Sequence, residues 1–175
     1  MKAKCISFLI IGIIALSVIG FLSPEKEHKE YLRIHIRANS NLQVDQDVKY
    51  LIKDRVVEFL APLIAECTTF EKAEKMLNDS LEKIDKVVNS VLKSKGFTYT
   101  GKSRLAIENF PTRYYGDLML EAGFYKAIII DLGSAKGDNW WCVVYPPLCF
   151  TESKIPVKYR SKILEIIDNF IKGER

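Results

Sequence analysis

The chain opens with an uncharged apolar stretch that has no polar face to turn towards water. Lys2 and Lys4 come first, and the 18 residues from Cys5 to Leu22 carry no charge. A run of this length lies between the core of a signal peptide and a transmembrane helix. We therefore expect residues 1–22 to direct the rest of the chain across a membrane, as a removed signal peptide or as a retained anchor helix.

Composition limits the rest of the chain to one globular domain of moderate size. Of the 175 residues, 48% are hydrophobic and 27% are charged, which is typical of a folded protein. The formal net charge is +4, and two of the positive charges precede the apolar run. The remaining excess of about +2 is too small for a nucleic-acid footprint. Long domains cross membranes largely regardless of flanking charge, so we place this domain outside.

A polar segment and then a strand pattern follow the apolar run. Residues 23–30 are mostly charged and include a proline, which predicts a solvated linker between the first segment and a domain at residues 31–175. Apolar and basic residues then alternate, which predicts a strand with one buried and one solvated face. The two sets are Leu32, Ile34 and Ile36, and Arg33, His35 and Arg37.

Two long amphipathic helices are predicted next. The first spans residues 44–63, where Pro62 should kink or end it. The second begins at a capping box formed by Thr68 and Glu71 and stops at Gly96. Both helices need a partner on which to bury their apolar stripes, and the rest of the sequence supplies strands.

Short strand patterns and a closing helix complete the chain. The strands are expected at residues 97–100, 104–110, 124–132 and 140–145, and the helix at residues 158–171. This order lacks the regular alternation of a parallel-sheet fold. We predict an α+β domain, with a small antiparallel or mixed sheet packed against two to three amphipathic helices and preceded by the apolar signal or anchor helix.

Residues 96–103 match the spacing of a phosphate-binding loop, but their context argues against that function. The motif requires a strand before the loop and a helix after it. Here a helix ends at Gly96 and a strand pattern follows Ser103. No cluster of Cys, His, Asp and Glu has the spacing of metal ligands. We therefore expect no cofactor, no metal and no small-molecule substrate.

Two features could support catalysis, and neither is specific. Cys142 could act as a nucleophile with His35 as its base, which would make the protein an exported hydrolase. Asp131 lies in a triplet that resembles half of an aspartic-protease dyad, although an aspartate that ends a buried strand is the simpler interpretation. We predict no catalytic residue and keep the hydrolase as an alternative.

Residues 137–150 do not have the pattern of an ordinary core strand. Adjacent tryptophans in a strand point to opposite faces, so one can anchor the core while the other covers the second face or is exposed. A double proline then forms a stiff bend suited to recognition. The candidate partner-binding residues are Trp140, Trp141, Tyr145, Pro146 and Pro147, with Arg33, Arg37 and Asn39 as a secondary group.

Cys142 and Cys149 could form a disulfide in an oxidising compartment. If the chain reversed tightly at its double proline, Val144 rather than Cys142 would lie opposite Cys149. A bridge therefore needs a looser bend. The sequence leaves a disulfide and a pair of free thiols both open.

The same region carries a family resemblance. The stretches YLRIHIRANSN, DQDVKYLIKDRV and FPTRYYGDLMLEAGFYKAIIIDLGSAKGDNWWCVVYPPLCF resemble the stage II sporulation protein R family, over residues 31–150. Three positions depart from the family pattern. Asn41 replaces an acidic residue, Glu121 replaces a proline, and Ala135 replaces a glycine.

The resemblance implies a signalling function. Proteins of that family are made in the forespore of an endospore-forming bacterium and exported into the space between the two septal membranes. There they activate a membrane-embedded aspartic protease, stage II sporulation protein GA, which processes the precursor of sigma-E. The resemblance supplies no catalytic residue. Besides the hydrolase, a membrane-anchored structural factor of the septum is the second alternative.

Overall fold

The structure is a computed structural model that describes residues 27–116, 118–151 and 157–173. The expected signal peptide or anchor at residues 1–22 lies outside these residues, as does the first part of the expected linker. Within the described part of the chain, no helix combines the length and the apolar character needed to cross a membrane.

Six strands and three helices lie within the described residues. In chain order they are β1 (Glu27–Arg37), α1 (Gln43–Ile64), α2 (Phe70–Ser94), β2 (Gly101–Phe110), β3 (Arg113–Tyr115), β4 (Leu118–Leu120), β5 (Gly123–Leu132), β6 (Asn139–Tyr145) and α3 (Val157–Gly173), with a 3-10 turn at Leu148–Phe150. This content confirms the predicted α+β class.

The main sheet is mixed and has the strand order β2-β5-β1-β6. β1 runs parallel to β5 and antiparallel to β6, and β2 runs antiparallel to β5. The first strand of the domain is therefore central, and β6 forms an edge. β3 and β4 pair separately as a short hairpin, which the sequence pattern did not predict.

Helices α1 and α2 pack on one face of the sheet and form most of the core. Apolar side chains recur along each helix at intervals of four or seven residues and are buried against alternate residues of β1 and β5. They are Val48, Ile52, Val56 and Leu60 of α1, Leu77, Ile84, Val88 and Leu92 of α2, Leu32, Ile34 and Ile36 of β1, and Ile128, Ile130 and Leu132 of β5. Each such side chain contributes roughly 1.5–3 kcal/mol to folding.

The opposite face of the sheet is also buried, so the predicted solvated face of β1 is wrong. Arg33 and His35 are only 0% and 5% exposed. Phe110, Tyr125 and other residues of the sheet pack there against the β3–β4 hairpin, and Phe170 of α3 joins them. The hairpin strands have three residues each, too few to produce a visible alternation.

Residues 97–100, expected as a strand, form an irregular connection instead. Gly96 adopts a φ of +79° and ends α2 with a Schellman motif. In this motif the N–H of Phe97 donates to the carbonyl of Leu92, at 3.0 Å, and the N–H of Gly96 donates to that of Lys93, at 3.1 Å. The aromatic residues after Gly96 therefore complete a helix end and do not begin a strand.

Other boundaries differ from the prediction by a few residues. β1 begins at Glu27, within the segment expected as a linker. Pro62 lies inside α1, which ends two residues later. The N-cap of α2 is Thr69 and not Thr68, because the Thr69 hydroxyl accepts the backbone N–H of Lys72 at 3.3 Å.

A buried carboxylate joins the start of α1 to distant segments. Asp45 is 3% exposed and accepts hydrogen bonds from Asn39 Nδ2 at 2.9 Å, Ser40 Oγ at 2.5 Å and Tyr99 Oη at 2.6 Å. Asn39 Oδ1 in turn accepts the backbone N–H of Ser134, in the turn before β6, at 2.9 Å. Asn39, a partner-binding candidate from the sequence, thus uses both side-chain polar atoms within the protein.

Replacing Asp45 by asparagine tests this network. Burial raises the pKa of Asp45, but hydrogen bonds from Ser40, Tyr99 and Asn39 outweigh it, and the net pKa is lowered. A carboxyl with a lowered folded-state pKa stabilises the fold above its unfolded-state pKa, and this contribution is lost as the pH falls through the folded-state value. We expect Asp45→Asn to lower the unfolding free energy at pH 7 by roughly 1.5–3 kcal/mol.

Urea unfolding from about pH 7 to pH 2 measures this contribution. Asp45→Asn should lose less stability on acidification than the original protein, because the titrating group is gone. Asp47→Asn is the matched control, since Asp47 is exposed and accepts a hydrogen bond from neighbouring Gln43. Identical pH profiles for the original protein and Asp45→Asn would contradict the network.

Candidate partner-binding surface

A groove of about 830 Å³ runs along the outer edge of β6. It lies between α1, the turn that joins β3 to β4, the strand β6 itself and the 3-10 turn after it. The residues that line it include Lys53, Val57 and Glu58 of α1, Tyr115 and Gly116 of the hairpin, Trp140, Trp141 and Cys142 of β6, and Leu148 and Cys149 of the 3-10 turn.

The two adjacent tryptophans lie on opposite faces of β6, and each is half-buried. Trp140 packs on the helix side, where Lys53 Nζ is 5.8 Å from its ring centre. Trp141 packs on the other side, with its ring centre 5.3 Å from that of His35 and 4.2 Å from the guanidinium carbon of Arg113. Both indole rings therefore have packed inner parts and accessible outer parts at the groove.

The bend after β6 is buried, unlike the recognition surface expected from its sequence. Tyr145 is 6% exposed, and Pro146 and Pro147 are buried as well. The Tyr145–Pro146 peptide is cis, and Tyr145 packs edge-on against Phe170 of α3, with 6.2 Å between ring centres. Within the expected recognition segment, the tryptophans form the accessible part, and the tyrosine and prolines belong to the interior.

Arg33 lies inside the protein and not on a contact surface. Its guanidinium carbon is 4.2 Å from the ring centre of Phe110 and 4.8 Å from that of Tyr125. Nη2 donates a hydrogen bond to the hydroxyl of Tyr115 at 2.6 Å. Burial lowers the pKa of Arg33, against the opposing effect of Tyr115. Arg33 therefore cannot contact a partner without opening of the hairpin above it.

Arg37 is half-buried and is held by two carboxylates. It forms ion pairs with Glu108 of β2 and with Asp131 of β5. Asp131 also pairs with Arg104. The aspartate that resembled half of a protease dyad is thus placed between two arginines, in a structural ion-pair network.

The structure separates the two members of the alternative catalytic pair. Cys142 is joined to Cys149 in a disulfide with a Cα–Cα distance of 5.9 Å, and it packs on the helix side of the sheet. His35 faces the opposite side, where Nδ1 donates to Glu108 Oε2 at 2.8 Å. Burial lowers the pKa of His35. The Cys142/His35 arrangement proposed as the hydrolase site does not form.

The segment with phosphate-loop spacing connects the end of α2 to the start of β2, the order of elements expected from the sequence. Its two characteristic side chains both contact Asp85 of α2. Lys102 Nζ is 2.6 Å from Asp85 Oδ2, and Ser103 Oγ is 2.6 Å from Asp85 Oδ1. The backbone N–H of Ser103 also donates to that carboxylate. Lys102 and Ser103 therefore attach β2 to α2.

Three residues contribute to this region without any indication from sequence reasoning. Glu108 joins His35 to Arg37, and Tyr115 both holds the Arg33 guanidinium and lines the groove. Arg113 covers Trp141. The sequence feature that could have indicated Arg113 and Tyr115 is the run of basic and aromatic residues just before Gly116. Gly116 has a φ of +62° and lies in the hairpin turn.

Comparison with known proteins settles the family. The model of the family described as stage II sporulation protein R matches residues 28–155, which include nearly all of the main sheet and the β3–β4 hairpin. The chain belongs to the stage II sporulation protein R family. This membership confirms the resemblance seen in the sequence and supports a role in sporulation.

A curated relative agrees with the family match. The chain is 34% identical over 121 residues to a protein named stage II sporulation protein R from Bacillus subtilis (strain 168). The alignment covers 69% of this chain and 54% of the relative, so the chain spans about half the length of that protein. No solved structure matches the chain.

Substitutions at Lys102 and Asp85 test the structural role of the phosphate-loop segment. Lys102→Ala removes one exposed ion pair and should lower the unfolding free energy by less than about 1 kcal/mol. Asp85→Ala leaves the backbone N–H of Ser103 without its acceptor, although the Ser103 hydroxyl can still donate to the Leu81 carbonyl, and should cost roughly 1–3 kcal/mol. Urea unfolding measures both. ATP binding by the original protein that disappears in Lys102→Ala would contradict this assignment.

Proposed function

We propose that this protein is an exported signal of endospore formation that activates stage II sporulation protein GA, a membrane-embedded aspartic protease, to process pro-sigma-E. Membership in the stage II sporulation protein R family is the observation that carries the proposal. The protein acts from the space between the two septal membranes after export from the forespore. If its first segment is not removed, it acts there as a membrane-anchored domain.

Two further features support an exported location. The uncharged run from Cys5 to Leu22 follows a short basic start, as in export signals. The disulfide between Cys142 and Cys149 fits an oxidising compartment, because cytosolic thiols are kept reduced.

The groove beside β6 supports action as a ligand. Tryptophan is enriched among the residues that dominate binding energy, since it buries a large area at a small loss of side-chain entropy. Both tryptophans of the chain line this groove, and their inner parts are held by packing before any partner arrives. A ligand activates a receptor by binding its active state more tightly than its inactive state. A preformed surface suits that task.

Co-expression in a non-sporulating host tests the proposed function. The chain, the receptor protease and pro-sigma-E are produced together and in every pairwise combination, and precursor cleavage is scored. We expect cleavage only when all three are present. Cleavage that requires no receptor, or that is the same without this chain, would contradict the proposal.

Replacing residues 1–22 separates a secreted ligand from an anchored septal factor. A cleavable signal peptide from another exported protein should preserve activation, because the ligand needs export and not an anchor. Deletion of residues 1–22 should abolish activation, because the domain then stays in the cytoplasm. Activation that survives only with an uncleavable membrane anchor would favour the structural factor.

Serine substitutions at the two bridged cysteines separate a ligand from a thiol hydrolase. Cys142→Ser and Cys149→Ser break the same bond, which should cost each variant about 2.5 kcal/mol of stability. For a ligand, cleavage should follow the amount of folded protein equally in both variants. Loss of activity confined to Cys142→Ser, at saturating amounts of folded protein, would indicate that Cys142 is a nucleophile.

A further inference from the structure

The outer edge of β6 carries backbone groups that no other described strand uses. β6 is the last strand of the sheet, and among the described residues β1 alone pairs with it. In an antiparallel pair, alternate residues direct their N–H and C=O groups away from the partner. Trp140, Trp141 and Cys142 are consecutive and all line the groove. At least one of them therefore presents an open donor and acceptor to it.

The charged residues around the groove differ in whether a residue of opposite charge lies beside them. On α1, Lys53 lies 2.7 Å from Asp54, and Arg55 lies 2.9 Å from Glu58, so these charges offset one another. Arg113 differs, because its guanidinium covers Trp141 and its buried Nε has no hydrogen-bond partner among the described residues. A positive charge thus lies beside the groove where Arg113 covers Trp141, while Leu51 and Val57 are apolar residues that α1 contributes to the groove lining.

We propose that the groove binds an extended segment of the receptor, which adds to β6 as a new edge strand. Backbone groups of the segment pair with the open groups of β6, as in other cases of strand addition. Successive side chains of a strand point to opposite faces. The segment therefore has apolar residues facing Trp140 and acidic residues facing Trp141 and Arg113. This inference rests on the proposed function, which supplies the receptor.

A second copy of this chain fits the groove less well. A second copy would bring its own aromatic β6 and another Arg113 to the edge, and the acidic side chains that line the groove among the described residues, Asp54 and Glu58, are already paired. An acidic segment from a different protein satisfies both the open strand edge and the unmatched Arg113.

A synthetic peptide tests the groove without the receptor. The probe is a capped seven-residue peptide in which valine and glutamate alternate. Both tryptophans of the chain line the groove, so their fluorescence reports binding. We expect saturable binding that weakens about tenfold or more when lysine replaces glutamate. Methylation of alternate peptide nitrogens should abolish binding. Equal binding of the methylated peptide, or no fluorescence change at millimolar peptide, would overturn strand addition.

Charge reversal at Arg113 tests the same groove in the co-expression assay. At limiting amounts of folded protein, Arg113→Glu should reduce precursor cleavage about tenfold or more. Arg160→Glu makes the same charge change at an exposed position of α3 and should behave as the original protein. Ile107→Lys adds a charge to β2 at the other edge of the sheet, where Ile107 is 52% exposed, and should also behave as the original protein. Equal effects of Arg113→Glu and Arg160→Glu would overturn the inference.

Amide hydrogen exchange locates the contact directly. With the detergent-solubilised receptor present, exchange at those amides of residues 139–142 that do not pair with β1 should slow about tenfold or more, and exchange in β2 should not change. Concentration-dependent protection of the same amides without receptor, together with a dimer in sedimentation, would assign the groove to a second copy and overturn the inference. If the chain does not activate the receptor but binds the peptide at β6, the proposed function is wrong. The groove would then still be a site for strand addition.

Discussion

The central position of β1 is the constraint on which the rest of the domain depends. Its neighbours β5 and β6 come much later in the chain, after two long helices. β5 and β6 reach β1 across a long stretch of chain, and closing so long a loop costs conformational entropy. The apolar face of β1 offsets that cost by burying its side chains beneath both helices. One strand, β1, therefore both packs beneath the helices and pairs with β6, the strand that borders the groove.

The second face of β1 links a buried charge to the accessible edge. Within the described part of the chain, two nitrogens of Arg33 have no hydrogen-bond partner, and aromatic rings surround the guanidinium instead. The hairpin that encloses this group supplies Tyr115 to Arg33 and Arg113 to Trp141. The same three-residue strands thus complete the interior and shape the groove. This double role explains why the candidate binding surface lies beside the most polar part of the core.

The sequence predicted the elements whose apolar pattern repeats over many residues. It did not predict the short hairpin strands or the contacts between distant segments. The two long helices and strands β2, β5 and β6 repeat their patterns over enough residues to be recognised. The burial of Arg33 could not be predicted from the alternating pattern. The pattern separates the polar face of β1 from its apolar face, but it does not show that the β3–β4 hairpin packs over the polar face. For the site, the adjacent tryptophans were indicated by their rarity. Arg113 was not, since its role exists only once the hairpin folds back over Trp141.

The start of β1 at Glu27 has a mechanical consequence for the anchored form of the protein. Only four residues separate Leu22 from Glu27, and even fully extended they allow a tether of about 18 Å. Trp141 pairs with His35, eight positions further along β1, which adds about 26 Å along the strand. A retained membrane helix would thus hold the domain close to its own bilayer. The two lengths together would set the greatest distance from that bilayer at which the groove could meet a partner.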